Sequence, residues 1–149
     1  MRLAKTLMLL MLLGGLGRGK AHAALGEPYV PQASEHETLT AVVRVFRSAT
    51  HTLHERRTAA GATIHEYVGK DTKVFAVSWK GSFRPNLREL LGTYYEVAFA
   101  NTPFRRTRGL VTIRTPGLVV VMGGRPRAWF GRAYLEAALP TGLLPEDIQ

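Results

Sequence analysis

Ala62-Thr63-Ile64-His65-Glu66-Tyr67-Val68-Gly69-Lys70-Asp71-Thr72-Lys73-Val74-Phe75-Ala76-Val77-Ser78-Trp79-Lys80 is the stretch that decides the fold. Two runs rich in β-branched and aromatic residues flank Gly69-Lys70-Asp71, a turn signal. Upstream, Thr50 to Arg57 is a similar run, separated by Ala60-Gly61. Three runs with two short breaks predict a three-stranded antiparallel meander.

The pattern repeats downstream. Leu110–Arg114 and Leu118–Met122 read as strands joined by Thr115-Pro116-Gly117, a short turn. Gly123-Gly124 turns the chain into a third strand, Arg127–Phe130. Helices are expected between and around these units. Ser34 with Glu37 forms a capping box, and Leu39, Val42, Val43 and Phe46 follow on one helical face, which predicts a helix to Arg47. Asn86 with Glu89 opens a second, whose buried stripe is Leu87, Leu90, Leu91, Tyr94 and Ala98. A short third helix is expected over Arg132–Leu139, stopped by Pro140. Consecutive strands that do not alternate with helices predict an α+β class: antiparallel sheet from two three-stranded meanders, with two or three packed helices. Trp79 and Trp129 lie in similar short blocks, a hint of internal duplication.

The amino end carries its own message. Arg2 and Lys5 precede the apolar run Thr6–Leu16, and Ala21-His22-Ala23 follows. A positive end, an apolar middle and an Ala-x-Ala exit form a secretory signal peptide over 1–23, leaving a single domain over 24–149. The apolar run is short for a bilayer-spanning helix, which needs roughly 20 residues, so no transmembrane segment is expected after processing. Arg2, Lys5, Arg18 and Lys20 leave with this leader, so the formal net charge falls from +9 to +5. The chain has no cysteine, which excludes disulfides, thiol catalysis and cysteine-ligated metals.

Three blocks carry a family resemblance: His65-Glu66-Tyr67-Val68; Val74 to Trp79 with Gly81, Phe83, Pro85 and Leu90-Leu91-Gly92; and Arg127 to Leu135 with Pro140 and Gly142. The chain from about Thr50 to Ile148 resembles the exported proteobacterial proteins labelled domain of unknown function 2844. His65 stands where that family usually has arginine. The resemblance implies export and a single domain. It implies no activity, cofactor or site.

No residue is assigned to catalysis or to a metal, and no cofactor is expected. Ser78 sits inside a strand without a nucleophile-elbow turn. Trp79 and Trp129 with Arg84, Arg127 and Arg132 combine rings and guanidinium groups, which suits a flat, anionic or sugar-like ligand. Arg105, Arg106 and Arg108 form an anion patch. The leading expectation is a non-enzymatic binding module of the cell envelope, periplasmic or secreted. Its partner is an envelope polysaccharide, a lipid headgroup or an envelope protein, and not nucleic acid. One rival is a small envelope hydrolase or metal-dependent enzyme using His54, His65 and Glu66. His65 falls opposite His54 or Arg56, depending on the hairpin turn, and Glu55 approaches Glu66. Another rival is an assembly or chaperone-like factor that pairs a strand edge with another chain.

Overall fold

The computed structural model describes residues 24–30, 44–100 and 109–149. Among these residues seven strands form one antiparallel sheet: β1 (Arg44–Arg47), β2 (Thr52–Arg57), β3 (Thr63–Val68), β4 (Val74–Gly81), β5 (Val111–Thr115), β6 (Leu118–Arg125) and β7 (Ala128–Leu135). Their order across the sheet is β1-β2-β3-β4-β7-β6-β5. Two meanders are present, but they fuse through β4 and β7 into a single sheet. Two short helices, α1 (Leu87–Leu91) and α2 (Tyr94–Phe99), follow β4.

The fold is therefore largely β, which corrects the expected α+β class. Of the helix expected to end at Arg47, the described part is the edge strand β1; the remainder lies outside the described residues, as does the 1–23 leader. The expected helix over Arg132–Leu139 is also replaced. β7 continues to Leu135, and only Glu136–Ala138 forms a 3-10 turn. Pairing on both flanks overrides local helix preference here: Tyr134 lies opposite both Ala76 and Val119.

Turn chemistry sets the registers. Pro116-Gly117 joins β5 to β6, with Gly117 at φ 80°, the position of a type II turn that favours glycine. Between β2 and β3, Thr58 N donates to Ala62 O at 2.8 Å and Gly61 N to Thr58 O at 2.9 Å. This encloses a three-residue loop ending in a left-handed glycine, with φ 79° at Gly61. Such a loop shifts pairing by one residue from either two-residue turn. His65 consequently lies opposite Glu55, and His54 opposite Glu66.

A bulge marks the start of β4. Tyr67 pairs with Ala76, but Val68 pairs with Val74. The extra residue, Phe75, turns to the face opposite Val77 and Trp79 rather than sharing theirs, as a bulge allows.

Each face of the sheet has its own cover. On the first, Ile64, Val77, Trp79, Val120 and Ala133 pack with Leu87, Leu90 and Leu91 of α1 and with Leu25. Asn86 caps α1, accepting from Glu89 N at 3.4 Å, and Gly92 at φ 54° separates α1 from α2. On the second face, Tyr67, Phe75, Ala76, Val119 and Tyr134 are covered by Ile148, Leu139 and Leu143 of the carboxyl-terminal tail.

Candidate functional site

The residues of the expected enzyme site divide between the two faces. Glu66, 3% exposed, lies with His54 on the helix side of the sheet, whereas His65 alternates to the tail side. Arg56 Nε stands 3.5 Å from Glu66 Oε1. The ring of Tyr29 stacks on His54 with centroids 3.9 Å apart, and Tyr29 N donates to Thr72 O at 2.8 Å. Burial holds the Glu66 carboxyl above its ordinary range, against the pull of Arg56. Burial, aided by Arg47, depresses the His54 imidazole. The same enclosure, with Glu66 nearby, raises the Tyr29 hydroxyl. His54 Nδ1 is buried with no hydrogen-bond partner among the described residues. Glu66 is thus an enclosed, charge-paired group beneath Tyr29.

On the tail side, His65 Nε2 meets Glu55 Oε2 at 3.1 Å, and its Nδ1 bonds the Gln149 main-chain oxygen. Tyr67 donates to that oxygen at 3.1 Å and accepts from Gln149 N at 3.0 Å. Arg132 reaches Ile148 O at 3.5 Å. These groups hold the tail. Glu55 therefore pairs with His65 and does not approach Glu66. Among the described residues no three metal-ligating side chains converge.

The aromatic and arginine set is partly assembled. Arg84 lies over the Trp129 ring, with its guanidinium carbon 4.5 Å from the centroid. Trp129 is half-buried opposite Gly81, at one end of the two central strands. Trp79 shares that face but is buried in the core against Gly131. Arg127 is exposed in the β6–β7 turn, following Pro126, with φ 68°. This left-handed position is costly for a residue with a side chain. Arg132 points to the other face. Phe83 is exposed next to Arg84. Arg105, Arg106 and Arg108 lie outside the described residues.

This arrangement offers a guanidinium held over an indole, with a second arginine two residues before that indole. Stacking orients the planar fork that bonds carboxylate or phosphate. Among the described residues no helix is long and apolar enough to cross a membrane.

A family model described as a protein of unknown function (DUF2844) matches residues 21–148. No curated protein and no solved structure matches the chain.

Proposed function

We propose that this chain, which belongs to the DUF2844 family, is an exported binding module that recognises anionic groups of the cell envelope. The stacking of Arg84 on Trp129 at 4.5 Å carries the reading. A guanidinium laid on a ring loses less freedom on binding, and it forms paired bonds to a carboxylate or phosphate. Arg127 adds a second charge beside it, held in a strained turn of the kind that clusters at binding sites. The positive balance of residues 24–149 suits an anionic partner, either an acidic polysaccharide or a lipid headgroup phosphate. The division of His54 and Glu66 from His65 weighs against the enzyme alternative.

Export rests on the leader: Arg2 and Lys5, the apolar run and Ala21-His22-Ala23. The denatured mass of protein recovered from a periplasmic fraction tests it, with a chain starting at Ala24 expected and a full-length chain contradicting it. Binding is tested by calorimetric titration with acidic oligosaccharides and with anionic-lipid vesicles. Arg84→Ala should weaken binding by about tenfold, the worth of one charge-assisted bond, and Trp129→Ala, which removes the ring that orients that guanidinium, should weaken it as well. Equal binding by both variants and the parent would sink the proposal.

An edge-pairing role draws on a different observation. Among the described residues β1 is the sheet's outer strand, and its Val45 and Phe46 are exposed on opposite faces. An edge carrying apolar groups is a template for strand addition. A proline placed in β1 should abolish capture of a partner chain while leaving the melting temperature of the domain in place.

A further inference from the structure

A second site lies at the other end of the central strands. A cleft of about 670 Å³ opens there between the β3–β4 turn and the segment after β7. Pockets that take small ligands span roughly 300–1,000 Å³. The β4 bulge lies beneath its floor: Val74 and Phe75 turn to opposite faces and are buried, and Leu135, Ala138 and Pro140 supply the apolar surface that solvent reaches. Lys70 and Lys73 stand on one wall, and Thr141 and Tyr94 supply hydroxyls from others.

The charge at this cleft is unevenly spent. The Asp71 carboxylate folds back into its own turn, where Oδ1 accepts from Lys73 N at 3.2 Å and lies over Gly69. Among the described residues neither Lys70 nor Lys73 forms an ion pair. Two cations, hydroxyls and an apolar floor form a set that no part of the Arg84–Trp129 platform shares.

We infer that this cleft binds one sugar-sized ring bearing a single anionic group. The carboxylate or phosphate sits toward the Lys70 and Lys73 ammonium groups. The ring's hydroxyls meet Thr141 and Tyr94, and its C–H face rests on the apolar floor. This inference stands apart from the envelope-binding reading, because it uses different residues at the opposite end of the sheet.

The test is amide-shift mapping of the protein with glucuronate, glucose 1-phosphate and glucose. At least one of the two anions should give saturable shifts around Lys70, Lys73 and Thr141, and neutral glucose should not. Which anion binds identifies the group recognised. A Lys70→Ala, Lys73→Ala double variant should weaken that binding by at least about tenfold, as expected for loss of charge-assisted bonds. Arg84→Ala should leave it unchanged. Both lysines are exposed, so the double variant keeps the fold, and its melting temperature checks this. The inference is overturned if neither anion shifts these residues, if glucose binds equally, or if the double variant binds like the parent. It is also overturned if Arg84→Ala removes the binding.

Discussion

Gly131 lies directly opposite Trp79 across the two central strands, and the indole occupies the space a side chain at 131 would need. The Val121 main-chain oxygen closes the same space from the other flank, 2.9 Å from where a Cβ would stand. The centre of the sheet is thus built on one missing side chain. Gly131→Ala must displace either a ring 4% exposed or the backbone of β6. Overpacking of this kind costs about 1–3 kcal/mol. Urea denaturation should show that loss, with Trp79 emission shifted to the red in the folded variant.

The Glu66–His54 pair predicts opposing pH dependences. Burial raises the Glu66 carboxyl above 4.5, so the folded protein holds that proton more tightly than the unfolded chain. The stability it lends is present below 4.5 and is lost as pH rises through the raised value. His54 is depressed below 6.5 by burial and by Arg47. Its contribution is present above 6.5 and is lost as pH falls through the lowered value. Glu66→Gln should therefore flatten the decline on the alkaline side, and His54→Gln the decline on the acid side. Denaturation midpoints across a pH series check both; profiles parallel to the parent would contradict the assignment.

Arg127 separates stability from binding. Its φ of 68° costs a side-chain-bearing residue roughly 1–2 kcal/mol, which glycine avoids at some entropic cost. Arg127→Gly should therefore match or exceed the parent in stability, by up to about 1 kcal/mol. The same variant should bind acidic oligosaccharides or anionic vesicles less tightly. A variant both less stable and equally binding would remove Arg127 from the proposed platform.

The tail should behave as part of the core. Ile148 is 1% exposed on the second face, and Ile148→Ala should cost about 2–4 kcal/mol. Tyr67→Phe removes two bonds to Gln149 and should cost about 1–2 kcal/mol. Thermal melts of the two variants give the ranking. Tyr67→Phe should also raise amide exchange at Gln149 before that of any strand residue.

Where the sequence was legible, the information was local. Asn86 caps α1, and Pro116-Gly117 turns the chain, because both signals act within four residues. The second half of β7 was not legible. Arg132-Ala133-Tyr134-Leu135 suits a helix until β4 and β6 claim it from both sides. The β2–β3 register hinged on whether two or three residues turned the chain, and one residue of difference carried His65 to the far face. In the candidate site, Arg84 and Trp129 were readable as an arginine and a ring. Arg132 was not separable from Trp129, because only when β7 runs on to Leu135 does their odd spacing place the two residues on opposite faces. Lys70 gave only a turn signal and Lys73 only the start of a strand, because the other wall of their cleft arrives after β7, far along the chain.

The fusion of two meanders through β4 and β7 has a kinetic consequence. Within each meander, every strand pairs with its chain neighbour, so those pairings close short loops and form early. The β4–β7 seam instead joins segments separated by two helices and two whole strands. Closing that long loop is entropically costly, so the seam is expected to form last, which folding and unfolding rates of seam variants check. Substitutions there, such as at Ala76 or Ala133, change the rate of folding, whereas those at the outer strands β1 and β5 change mainly the rate of unfolding.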